Sequence, residues 1–152
     1  MTNNLLVLQS DFGWVDGAVS AMIGVALQEE PSLGVHHLTH DITPYNTFEA
    51  SYRLFQTVEY WPEGTTFVSV VDPGVGSSRK SVVALTKTGQ YIVTPDNGTL
   101  SYIKKVVGIV AVREISEVEN RRSNTELSYT FHGRDVYAYT GAKLASGHIS
   151  FE

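Results

Sequence analysis

At 152 residues, with 42% hydrophobic and 18% charged side chains, the chain has the size and apolar content of one globular domain, which excludes wholesale disorder. Its formal net charge of -5, with no run of Lys and Arg, argues against a nucleic-acid partner and mildly favours a cationic small molecule. Zero cysteines remove disulfide frameworks, Cys-zinc sites and thiol nucleophiles, and with no basic leader and no apolar stretch long enough to span a bilayer the expectation is a soluble, cytoplasmic protein without a membrane partner.

In chain order, LLVLQ (5 to 9) reads as a buried strand, followed by the polar loop SDFGWVD. Asp16 is placed to cap a helix over roughly 17 to 29, where Val19, Met22, Ile23 and Ala26 recur at helical spacing, and Pro31 stops it. VHHL (35 to 38) is a second strand. The stretch from Asp41 to Trp61 leads through a turn into a helix with Ala50, Leu54 and Val58 on its apolar stripe. TFVSVV (66 to 71), SVVALT (81 to 86), QYIVT (90 to 94) and GIVAVREI (108 to 115) read as strands, with a short helix near 98 to 105. The polar run 116 to 129 is a loop, and a last helix covers 135 to 146. Strands feeding helices through short polar turns predict an α/β fold, a layered sheet with ligands near the carboxyl ends of the strands. The ending GAKLASGHISFE leaves a helix and stops, so the expectation is a single α/β domain over 1–152 cut from a longer chain.

The stretch VVDPGVGSSRKSVV (70 to 83) invites a phosphate-cradle reading, but it lacks the third glycine of a dinucleotide fingerprint and runs into a strand rather than a helix. DFG and GRD occur in the wrong order for a protein kinase. What remains is a strand end: Asp72 before Pro73 is biased to an extended conformation, and Gly74 and Gly76 let the backbone turn closely. An Asp-Pro-Gly turn alone accounts for that. Three further polar, glycine-flanked segments shift the balance towards a shared cleft: Asp11 after the first strand, Asp96 and Asn97 in VTPDNG, and His132 and Arg134 before the last helix.

A metal reading of HHLTHD fails on spacing. On a strand His36 and His40 share a face, but four residues at about 3.3 Å each put them roughly 13 Å apart, and His37 faces the other way. NGT (97 to 99) matches a glycosylation acceptor only by coincidence when no secretory signal precedes it.

Taken together, SDFGWVDGAVSAMIG, THDITPYNTFEA, WPEGTTFVSVVDPGVGSSRKSVV, VTPDNGTLSY and FHGRDVYA, in order from about residue 5 to 147, resemble the S-adenosyl-L-methionine (SAM) hydroxide adenosyltransferases. These are adenosine-forming SAM hydrolases, related to the SAM-dependent fluorinase and chlorinase. The resemblance implies the N-terminal domain of that family, with helices on both faces of its sheet and its β-rich C-terminal domain absent from this chain. It implies a catalytic set of Asp72, Arg79 and His132, which the halogenating relatives lack, so that water is the nucleophile. It also implies that Asp11 holds the ribose hydroxyls, with Phe12, Tyr45, Asn97 and Gly133 as further substrate contacts. Neither a metal nor an organic cofactor is implied, SAM itself being the substrate, and the assembly implied is a homotrimer with sites between subunits.

Those residue types suit that chemistry. A sulfonium is an excellent leaving group, so displacement at the ribose C5′ needs no general acid but an activated, aligned water. Asp72 can accept its proton or orient it, Arg79 stays protonated and can fix Asp72, and His132 titrates near neutrality and can relay the proton. A carboxylate such as Asp11 accepts from two adjacent hydroxyls. Tyr45 can stack on adenine or attract the sulfonium through its ring, or simply pack, and Asn97 in PDNG also serves as a turn former. A SAM or nucleoside binding module without turnover stays open as the alternative, and a SAM halogenase is the third reading.

Overall fold

The computed structural model describes residues 2–74, 79–116 and 133–152. Its strands are β1 (Leu5–Ser10), β2 (Gly34–Thr39), β3 (Thr66–Val70), β4 (Ser81–Thr86), β5 (Tyr91–Pro95) and β6 (Ile109–Glu114); its α-helices are α1 (Ala18–Glu29), α2 (Thr47–Thr57) and α3 (Tyr139–Ser146). The strands form one sheet in the order β2-β1-β3-β5-β4-β6. The four from β2 to β5 run parallel, while β4 is antiparallel to both β5 and β6. β1, β3 and β5 are near-continuous apolar runs because both of their faces are covered. At the edge, β6 instead carries Arg113 and Glu114 and exposes alternate residues, which blunts an otherwise open strand.

Side-chain alternation along the strands sorts most of the core into two clusters, one per face, beside a small third one of Ile42, Ala50 and Val71. Leu6, Leu8, Val68, Val70 and Val93 pack with Val19, Met22 and Ala26 of α1 and with Ala142, Leu144 and Ala145 of α3. Val7, Phe67 and Ile92 pack with Leu54 of α2, Val58 and Ile103 on the other side. The α/β fold with helices on both faces expected from the sequence is therefore what the chain adopts.

Local signals explain most element ends. Glu30, the residue before Pro31, is extended and terminates α1. Asn46 caps α2 by accepting from the Glu49 amide at 3.0 Å, and the Glu49 carboxylate reaches back to the Thr43 hydroxyl at 3.0 Å; a cap of this kind is worth about 1 kcal/mol. Gly147 closes α3 in the left-handed conformation. Two expectations shift in detail. The N-cap of α1 is Gly17, and Asp16 sits one residue earlier, accepting from the Ala18 amide at 2.9 Å. The helices expected at 98–105 and 135–146 each overlap a wider π-type turn, Ile103–Val107 running past the end of the first and Gly133–Ala138 starting before the second. The expected loop 116–129, apart from Ser116, and the turn at Gly76 lie outside the described residues.

Candidate active site

β1 stands between β2 and β3, so the chain leaves β1 to one side and returns on the other. That reversal opens a crevice at the carboxyl ends of β1 and β3, where α/β sheets bind ligands. Asp11 follows β1, His40 follows β2, Asp72 follows β3 and Asn97 follows β5. β4 runs the opposite way, so its first residue, Ser81, pairs with Pro95 at the end of β5 and brings Arg79 to the same edge.

Asp72 and Arg79 form a two-pronged ion pair. Arg79 Nε donates to Asp72 Oδ1 at 3.0 Å and Nη2 to Oδ2 at 2.6 Å, with side-chain exposures of 9% and 6%. This fork-to-fork geometry fixes the carboxylate plane. The guanidinium is itself held from behind: Nη1 donates to Ser81 Oγ at 3.4 Å, Ser81 Oγ shares a hydrogen bond of 2.7 Å with the Tyr137 hydroxyl, and the Arg79 carbon lies 5.6 Å from the centre of the Tyr137 ring. Each carboxylate oxygen has two acceptor positions, so Asp72 keeps acceptor capacity beyond Arg79.

Asp11 is half-buried, and its Oδ2 accepts from the Tyr45 amide at 2.8 Å. Burial pushes its carboxyl above the usual range; the Tyr45 and Asp11 amides oppose this, and the charge of Asp72 adds to the rise. Asp11 and Asp72 thus share one electrostatic environment. Tyr45 holds φ +65°, a left-handed conformation unusual outside glycine, and the residue is 68% exposed. Phe12 packs half-buried against the core cluster beneath α1. Asn97 is engaged within the fold: its Nδ2 donates to the Val71 carbonyl at 2.7 Å, and its Oδ1 accepts from the Thr99 hydroxyl at 2.7 Å, tying the β5 exit to the β3 exit. Gly133 opens the turn that leads into α3, and His132 lies outside the described residues.

Some of the edge escaped the sequence reading. Ser81 and Tyr137 support Arg79 from 56 residues apart, with no local signal. The histidines also differ from the strand-based expectation. β2 ends at Thr39, and its pairing with β1 shifts between Leu8 and Gln9, so His40 leaves the alternation. His40 Nε2 then meets His37 Nδ1 at 2.8 Å, while His36 packs towards Trp61. Among the described residues no group of three or more His, Asp and Glu is arranged to hold a metal ion, and no helix is long and apolar enough to cross a membrane.

A family model described as SAM hydroxide adenosyltransferase N-terminal domain matches residues 6–152. The (R)-S-adenosyl-L-methionine hydrolase of Methanocaldococcus jannaschii is 38% identical over 145 residues, covering 93% of this chain and 53% of its own length. A crystal structure of a conserved protein from Thermotoga maritima superposes with a TM-score of 0.91 at 36% identity, over 97% of this chain and 55% of that one. A fluorinase of an Actinoplanes species is more distant, 25% identical over 95% of this chain and 55% of its own length. The chain spans about half the length of the curated relatives it matches.

Proposed function

The chain belongs to the family of SAM hydroxide adenosyltransferase N-terminal domains, and from that premise we propose that the whole protein cleaves S-adenosyl-L-methionine to adenosine and L-methionine. The observation that carries this reading is the buried, two-pronged Asp72–Arg79 pair standing at the carboxyl edge beside Asp11. Asp11 grips the ribose diol. Asp72 orients a water molecule behind C5′, and Arg79 holds Asp72 in place and favours hydroxide character in the attacking oxygen.

The water oxygen bonds to C5′ as the C5′–sulfur bond breaks. The electron pair leaves with sulfur, which becomes the neutral thioether of methionine, and one proton is released through Asp72, with His132 as relay. The sulfonium already carries the charge that makes it leave, so the reaction asks for no metal and no organic cofactor. In this reading the Tyr45 ring, which is exposed, meets the substrate cation or its base. Phe12, Gly133 and Asn97 act in this reading by shaping the loops around the nucleoside.

The test is mass spectrometry of SAM incubated with the full natural polypeptide in water enriched in oxygen-18, with chloride present. Adenosine carrying the label at its 5′ oxygen, together with methionine, is the expected result. A chlorinated nucleoside would replace this reading with halogenation, and bound SAM without turnover would replace it with a binding module. The resemblance also carries a cytoplasmic homotrimer into the proposal, and sedimentation of the purified protein at three subunit masses is the outcome expected for the assembly.

A further inference from the structure

His40 is buried at 0% exposure and takes no part in the displacement, yet it holds the Asp11 loop at both ends. At the start of the loop its Nδ1 lies 2.6 Å from Ser10 Oγ, which also accepts the Phe12 amide at 3.2 Å. At the far end its carbonyl accepts the Gly13 amide at 2.8 Å. Trp14, the next residue, sets its ring edge-on to both His40 and His37, with centroids 4.8 and 5.2 Å away. Five residues beyond His40, the Tyr45 amide closes the arrangement on Asp11 Oδ2.

Hydrogen-bond satisfaction selects one tautomer. Among the described residues the Ser10 hydroxyl has no acceptor other than His40 Nδ1, so it donates there. His40 then carries its proton on Nε2 and donates to His37 Nδ1. Burial, with the nearby His37 second, pulls the His40 pKa down to about 4, which keeps the ring neutral at neutral pH, and the hydrogen bonds choose the tautomer.

We propose that His40 is a positioning residue for Asp11: through Ser10 and Gly13 it sets where the ribose-binding carboxylate stands. The proposal rests on the reading that Asp11 grips the nucleoside diol. A second readout, the titration of Asp11 itself, separates the failure of one from the failure of the other.

In the full natural polypeptide, affinities for adenosine and 2′,3′-dideoxyadenosine are compared by calorimetry, and Asp11 is titrated by carbon-13 NMR. Hydrogen bonds from two hydroxyls to one carboxylate predict that the unaltered protein prefers adenosine by roughly 10–100-fold. His40→Leu is expected to cut that preference at least about fivefold while the dideoxy affinity stays put. It should also lower the pH at which Asp11 titrates, because a released loop rehydrates the carboxylate. His40→Asn, which keeps an acceptor near the Nδ1 position, should restore both. Retention of the full preference and titration in His40→Leu overturns the proposal, as does equal weakening of both nucleosides with no rescue by Asn. No diol preference in the unaltered protein, with the Asp11 titration still moving in His40→Leu, removes the ribose reading and leaves the positioning role standing. If His40→Leu does not fold, Ser10→Ala cuts the same link from the loop side and yields the same two readings.

Discussion

Asp72→Asn is expected to lower the rate of adenosine formation by about 10²–10⁴-fold, the span that a positioned general base contributes. Asparagine keeps the shape of the side chain but cannot take a proton from water at neutral pH. The change also takes from the Arg79 guanidinium, whose side chain is 9% exposed, the two-pronged pairing with the Asp72 carboxylate. Removing one partner of a buried pair costs about 3–5 kcal/mol, offset in part here by the Tyr137 ring and Ser81. Two effects are therefore superimposed, and Asp72→Asn/Arg79→Gln separates them. Denaturant unfolding should show the double variant recovering part of the lost stability because the guanidinium that lost the Asp72 carboxylate is removed with it, whereas product analysis should show no recovery of activity. A single variant that turns over within tenfold of the unaltered protein would remove Asp72 from the chemistry.

Gly141→Ala is the second large effect, and its sign runs against helix propensity. In an open helix the change would stabilise by roughly 0.5–1 kcal/mol. Gly141 is the third residue of α3, where the helix presses on the sheet: an added Cβ would collide with the Val68 side chain of β3 and stand 3.3 Å from Leu6 Cδ1 of β1. Overpacking of this kind costs about 1–3 kcal/mol, and at the upper end of that range the net loss is roughly 2 kcal/mol, or a Tm lower by about 4–8 °C in a chain of this size. Val68→Ala should relieve the collision, so that the pair is more stable than the two single losses added together. A Tm unchanged or raised by Gly141→Ala would show that α3 stands off the sheet. Because β3 ends two residues before Asp72, the close approach of α3 also seats the strand that delivers the carboxylate.

Local chemistry made much of this molecule legible before any coordinates. Apolar β-rich runs marked the strands because a strand covered on both faces must be hydrophobic at consecutive positions, and Pro31 marked a helix end because its effect acts within a few residues. Asp11 and Asp72 were visible as carboxylates at strand ends for the same reason. That Asp72 forms one catalytic set with Arg79 and His132 came from the family resemblance, since neither hydrophobic period nor turn chemistry says which residues at the strand ends touch. Tertiary structure decided the rest. The strand order and the reversed direction of β4 bring Arg79 to the edge where Asp72 emerges, and Tyr137, 58 residues beyond Arg79 in sequence, supports the pair through a contact no local signal encodes. The histidines show the limit most clearly: strand alternation sets His37 and His40 on opposite faces, but one shifted register and the end of β2 turn them into hydrogen-bonded neighbours. A period-two pattern carries side-chain direction only while the strand lasts, and where the strand stops is decided by its pairing with β1.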